Sequence, residues 1–290
     1  MLEQLVESGE VRLSDPVEKY FPEVNLVQGR YPNAPPITLM QLATHTSGLA
    51  PEPDDMEKYV EGPVAEWEKI LIAARPHLHD IYEPGIRFSY SNIGYAILGA
   101  TLARAAAEPY LKYVPEHIFE PLGMTHTALE LTPAIRPYLS SGYETQENGK
   151  IDAATPLREQ AGRGYKVPNG AIYTTVGDLA KFASFLMGDG SPSALSPNRL
   201  EYFQDALQVT STSRLSEGYG IGFNVMRRGD YVAFGHGGAV GGYNAALFIN
   251  RNEEVAVIAL ANAFGPKTVD AQELALRCLD VVSKSESPSH

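Results

Sequence analysis

From Tyr219 onward the hydrophobic pattern runs in strand-length pieces, Tyr219 to Val225, Tyr231 to Phe234, Tyr243 to Ile249 and Val255 to Leu260, separated by Gly- or Asn-rich links such as Asn250-Arg251-Asn252. Links this short cannot hold a crossover connection, so the strands are expected to pair antiparallel. The periodic segments before them carry helical spacing, and Val269 to Val282 returns to it, with Leu274, Leu276, Cys278 and Leu279 available to cover one sheet face. Helices first, strands second and a closing helix make the expected class α+β. One domain is expected over residues 1–290, with a mainly helical region over 1–205 and an antiparallel sheet plus C-terminal helix over 206–290.

The helical half is punctuated by local signals. Met1 to Ser8 places apolar residues at 1, 2, 5 and 6, one helical face, and Gly9 supplies a stop. No capping residue stands ahead of that face, and a helix under about 12 residues is marginal alone, so a longer helix cut at Met1 is the expectation. Thr38 is placed to cap a helix over Ile37 to Thr44, which leads into the tight loop His45-Thr46-Ser47-Gly48. Asn92 to Ala107, small and apolar throughout, reads as a buried helix entered directly from Tyr90-Ser91-Asn92. Thr175-Val176-Gly177-Asp178 has the form of a capping arrangement ahead of Leu179, Phe182, Ala183 and Leu186, with an end near Gly188. The residues after Val282 read as a loose tail.

Composition excludes several classes. With 290 residues, 44% of them hydrophobic, the chain can bury a substantial core. Its net charge of −12 opposes a phosphate-binding surface, so no nucleic-acid partner is expected. The single cysteine, Cys278, precludes an internal disulfide framework. No run approaches the roughly 20 apolar residues of a membrane helix, and the first residues lack a signal-peptide layout. No cofactor and no metal are expected. His77-Leu78-His79-Asp80 has superficial metal-binding spacing, but Ile81 and Tyr82 stand where a further Asp and His would be needed.

Two short motifs carry chemistry, Tyr90-Ser91-Asn92 and His236-Gly237-Gly238, and no Ser-x-x-Lys occurs anywhere in the sequence. They lie in order with Gln4 to Gly9, Leu13-Ser14-Asp15-Pro16-Val17, Ile37 to Leu49, Pro84 to Phe88, Pro121-Leu122-Gly123-Met124 and Tyr219-Gly220-Ile221-Gly222-Phe223. In these segments the chain resembles the serine β-lactamase and penicillin-binding-protein-like family, which includes class C β-lactamases, DD-peptidases, esterases and acyltransferases. The resemblance implies an antiparallel sheet backed by helices beside an all-helical region, with the active site between them. It places Ser-x-x-Lys on a helix just ahead of Gln4 to Gly9, so its position falls upstream of Met1. It also places N-terminal strands against Val255 to Leu260. Without them that edge is expected to be unpaired, apolar and prone to aggregation.

The implied chemistry is acyl transfer to a small-molecule ester, amide or β-lactam through an acyl-serine. Ser and Lys at i and i+3 share one helical face, where the lysine adjusts the proton affinity of the serine. Tyr90 would move protons, Asn92 would orient substrate or lysine, and His236-Gly237-Gly238 takes the place of Lys-Thr-Gly, with the Ala239 N–H as an oxyanion donor. A tyrosine titrates at about pH 10, so Tyr90 needs a nearby cation to act as a base. Histidine is only partly charged near neutrality and attracts carboxylates less than lysine, which favours ester chemistry. His45 reads as a loop brace, because Thr46 and Ser47 are turn formers. Neither Ser47 nor Ser91 has a lysine three residues on, and no serine sits in Gly-x-Ser-x-Gly. The expectation is a serine hydrolase whose nucleophile is missing from this chain, which leaves it inactive. The alternative is a non-catalytic binding or scaffold protein with the same cleft.

Overall fold

A computed structural model describes residues 1–23, 31–188, 194–196, 199, 208–209 and 216–285. The helical half comprises α1 (Leu2–Glu7), α2 (Leu39–Ala43), α3 (Trp67–Ala74), α4 (Asn92–Ala105), α5 (Tyr110–Val114), α6 (Ala154–Glu159), α7 (Val167–Gly170) and α8 (Val176–Met187). Within it lie two short strands, β1 (Tyr143–Thr145) and β2 (Ile151–Asp152). The second half contains β3 (Gln208–Val209), β4 (Glu217–Tyr219), β5 (Asn224–Arg228), β6 (Tyr231–Val240), β7 (Tyr243–Asn250), β8 (Val255–Ala261), β9 (Ala263–Phe264) and the closing α9 (Ala271–Ser285). β3 to β8 form one antiparallel sheet in sequential order, as links too short for crossovers require. The fold is α+β.

Alternation along the strands divides the core. Ala233 of β6 and Ala246 and Phe248 of β7 pack with Ala271, Ala275, Leu276 and Leu279 of α9. Their neighbours Phe234 and Ile249 join the larger cluster with Leu186, Ile97 and Leu42 of the helical half. The sheet is thus clamped between α9 on one face and the helical half on the other, where α8 lies against β7 and β8. α4 is buried around its circumference, and a Cβ at its Gly99 would lie 2.5 Å from Pro168 Cγ of α7.

The expected caps form. Thr38 accepts from Gln41 N–H (3.3 Å) while Gln41 Oε1 accepts from Thr38 N–H (2.9 Å), a complete capping box. Thr175 caps α8 through Asp178 N–H, and Gly188 ends it at φ +100°. Asp178 itself turns elsewhere, accepting from His126 N–H (2.7 Å), Thr127 Oγ1 (2.9 Å) and Lys181 Nζ (2.9 Å).

Three expectations are corrected. The run Tyr219 to Val225 is not one strand: Gly220 N–H donates to the Phe223 carbonyl (2.8 Å), Gly222 takes φ +80°, and a turn separates β4 from β5. β6 does not stop at Phe234 but continues to Val240, so His236-Gly237-Gly238 lies inside a strand; its glycines have low strand propensity and hid it. α9 runs to Ser285, so helix continues past Val282, and residues 286–290 lie outside the described residues, as does the 205/206 division. The sheet β2-β1-β9 had no sequence signal, its strands being too short to show a period. Among the described residues β8 pairs only with β7, and Leu260 on it is 40% exposed.

Candidate active site

The Tyr-Ser-Asn triplet is the entrance of α4. Ser91 is its buried N-cap, accepting from Gly94 N–H (3.1 Å) and donating to the Ala50 carbonyl (2.7 Å). Its hydroxyl is engaged in holding the loop. The preceding loop braces this entrance through His45: Ser91 N–H donates to His45 Nδ1 (3.0 Å) and Ser89 N–H to the His45 carbonyl (2.7 Å). His45 adopts φ +54°, a left-handed conformation that a non-glycine residue holds only when its surroundings compel it. Its ring centroid lies 4.1 Å from that of Tyr90 and 4.8 Å from those of Tyr95 and Tyr219. Burial, aided by His236, holds its pKa down at about 3. The ring is therefore neutral, and with Nδ1 accepting, its proton sits on Nε2.

β6 supplies the facing wall. β5 pairs with β6 only as far as Asn224 opposite Gly235, so among the described residues the stretch 236–240 has no β5 partner on that edge. His236 lies on this stretch, its ring centroid 6.1 Å from that of Tyr90. Its Nδ1 is 2.5 Å from the Gly237 carbonyl and its Nε2 3.2 Å from the Tyr219 hydroxyl. Burial lowers its pKa, opposed by the Gly237 hydrogen bond. The two glycines have different reasons. A Cβ on Gly237 would lie 2.3 Å from Gln272 Oε1 of α9, whereas one on Gly238 would meet nothing. Gly237 admits α9, and Gly238 beside exposed Ala239 leaves the edge open.

Asn92 is held from behind by residues that carried no sequence motif. Its Nδ2 donates to Glu52 Oε1 (2.9 Å) and its Oδ1 accepts from Asn169 Nδ2 (3.1 Å). Glu52 also accepts from Lys166 Nζ (2.8 Å) and from the Tyr165 hydroxyl. Burial, then the Glu52 charge, pushes the Tyr90 hydroxyl above its ordinary pKa, so Tyr90 is a neutral phenol. Glu52→Ala would strand Lys166, whose side chain is 15% exposed, and remove acceptors from Asn92 and Tyr165. We expect urea denaturation to show a loss of about 2–3 kcal/mol, with Glu52→Gln losing less because it keeps the acceptor. A Glu52→Ala protein as stable as the parent would remove this network from the account.

The metal-like spacing at His77 and His79 gathers no site: the two face different carboxylates, Asp55 at 3.8 Å and Asp54 at 3.6 Å. Among the described residues one possible ligand group converges, Glu108, Glu116 and His117, and Lys112 already pairs with both of its carboxylates, at 2.7 and 3.3 Å. No helix among the described residues is long and apolar enough to cross a membrane. Ser47 is fully buried. The site therefore presents a neutral phenol, one partly buried imidazole at His236 and an open strand edge, with the His45 imidazole buried behind Tyr90.

The family model for Beta-lactamase matches residues 1–279. The chain is 30% identical over 271 residues to PbpX of Bacillus subtilis (strain 168), provisionally named a penicillin-binding protein, covering 89% of this chain and 58% of that one. It is 33% identical over 190 residues to the D-alanyl-D-alanine-carboxypeptidase/endopeptidase AmpH of Escherichia coli (strain K12), covering 63% and 44%. In structure it is similar to the octameric penicillin-binding protein homologue from Pyrococcus abyssi, with a TM-score of 0.76, 24% identity, and coverage of 98% of this chain and 63% of that one. The chain spans about half the length of the curated relatives it matches.

Proposed function

The chain belongs to the beta-lactamase family, and from that premise we propose that its cleft is a serine-hydrolase-type acyl-transfer site for uncharged small esters and amides, with no Ser-x-x-Lys among these 290 residues to turn binding into turnover. The observation that carries the reading is His236, which stands on an open strand edge as a partly buried imidazole with both nitrogens bonded within the protein. A lysine there would offer a fixed positive charge to a substrate carboxylate; this ring does not. Lys166, the ammonium bound behind Asn92, is neutralised by Glu52.

The other roles follow from position. The Ala239 N–H on the open edge serves as an oxyanion donor, with Gly238 giving the acyl group room. Tyr90, a neutral phenol, donates a hydrogen bond to the substrate and becomes a base only when a cation is brought beside it. Asn92 is locked by Glu52 and Asn169 and keeps the loop carrying Tyr90 in place. The serines already in the cleft favour a second reading for the chain as it stands. Ser91 is engaged as a helix cap and Ser47 is buried, so the protein binds acyl ligands without cleaving them.

Binding of N-acetyl-D-alanine and its methyl ester, followed by NMR, tests the proposal. The parent should show no preference for the free acid, and His236→Lys should raise the affinity for the acid, relative to the ester, by about ten- to a hundredfold, the worth of one charge-assisted hydrogen bond. A parent that already prefers the acid would overturn the assignment.

A further inference from the structure

We infer that Tyr219 is a specificity-determining positioning residue: its hydroxyl donates to His236 Nε2 and locks that imidazole in its Nδ1–H form, so the strand edge presents an uncharged wall to the acyl group. The inference rests on the acyl-site reading and names the residue that sets its preference for uncharged substrates.

The end of β4 brings the two side chains together. Tyr219 is its last residue, across β5 from Gly235 of β6, and its ring turns beside that of His236, the two centroids 6.0 Å apart. At 2.5 Å from the Gly237 carbonyl, His236 Nδ1 must carry a proton, because a bare nitrogen would set one lone pair against another. In the neutral ring Nε2 is then an acceptor, and the Tyr219 hydroxyl lies 3.2 Å away.

Tyr219 is 1% exposed and has one proton for two neighbours, His236 Nε2 and the Tyr95 oxygen. Tyr95 needs nothing further, since its own hydroxyl donates to the Ala43 carbonyl (2.6 Å). Sending the Tyr219 proton to Tyr95 would leave His236 either facing another lone pair or taking a second proton. Among the described residues the second proton finds no counter-charge. The described titratable groups that face the ring are Tyr219 from β4, Tyr90 from the loop before α4 and His45 from the loop after α2, none of them an anion at neutral pH. Glu52, nearest to Tyr90, is already engaged by Lys166, Asn92 and Tyr165. The two imidazoles therefore hold opposite tautomers, Nε2–H at His45 and Nδ1–H at His236, and the first is an internal reference for the second.

Long-range 15N–1H NMR of the 290-residue protein at pH 7 tests the assignment without requiring activity. His236 should show a protonated Nδ1 and an unprotonated, hydrogen-bonded Nε2, and should titrate below the ordinary histidine value of about 6.5. In Tyr219→Phe the Nε2 resonance should move, the titration should rise toward that value, and the preference for N-acetyl-D-alanine over its methyl ester at pH 6 should grow severalfold. His45 should remain Nε2–H in both proteins, which shows an intact loop. A proton on His236 Nε2 at pH 7 in the parent, alone or as a second proton, would overturn the inference whether or not the variant folds, and so would an unchanged titration in a folded variant. If instead both tautomers are as assigned and neither ligand binds, the acyl-site reading fails and the tautomer assignment stands.

Discussion

Turnover of p-nitrophenyl acetate by the 290-residue protein is expected to stay near solvent hydrolysis, and to rise about a millionfold when a Ser-x-x-Lys segment is joined ahead of Met1 in helical register with α1, since losing a nucleophile from a catalytic set removes roughly that factor. In the function proposed above, no described residue of the site can substitute. An attacking oxygen needs a base within reach. Tyr90 is held as a phenol by burial and by Glu52, His236 has both nitrogens engaged, and His45 gives its Nδ1 lone pair to Ser91 N–H. A lysine one turn after the serine would bring the cation that lets Tyr90 release its proton. Steady-state kinetics of both forms, with the joined serine changed to alanine as the control, measure the effect. Comparable turnover by the two forms would show that another group in the chain attacks.

The second large effect is on stability. Between pH 7 and pH 4.5, His45 alone should remove about 3 kcal/mol, because each unit of difference between folded and unfolded pKa is worth about 1.4 kcal/mol. Its pKa is about 3 in the folded protein and returns to the ordinary histidine value of about 6.5 on unfolding. As pH falls below 6.5 the unfolded chain takes up a proton that the native site refuses. This contribution is therefore complete above about pH 6.5 and is lost progressively toward pH 3. Carboxylates with lowered values, such as Asp15 at about 2, add their own loss only at more acidic pH. Urea denaturation at the two pH values reads the sum. His45→Asn, which tolerates φ +54° and can offer Oδ1 to Ser91 N–H, should lower stability at pH 7 but flatten its dependence between pH 6.5 and 4.5. An unflattened slope would assign the acid sensitivity to other groups.

What the sequence made legible is what physics decides locally. Thr38 and Thr175 announce helix starts because a cap is a contact across three residues, and the sheet order follows from links too short for anything but hairpins. The reach of β6 was hidden because glycine carries little strand propensity, although Gln272 of α9 packs over one of those glycines and the next leaves the edge open. The site was legible only in part. Tyr90, Asn92 and His236 stand in recognisable motifs, but Glu52 and Lys166 are separated by 114 positions and meet only when the helical half folds. Tyr219 lay within a familiar run, yet its bond to His236, 17 residues on, is made only when the end of β4 and the open part of β6 come together in the fold. His45 read as a loop brace, and the structure supports this through Nδ1; its burial among Tyr90, Tyr95 and Tyr219 is a tertiary fact that Thr46 and Ser47 could not signal.

Intact mass after incubation with a fluorophosphonate tests most directly the claim that this cleft is an acyl-transfer site assembled around a nucleophile that none of its own residues supplies. The 290-residue protein should remain unmodified, while the form joined to Ser-x-x-Lys should gain a single adduct that maps to the joined serine and disappears when that serine is changed to alanine. An adduct on the 290-residue protein itself, at Ser47, Ser91 or any other residue, would contradict the account.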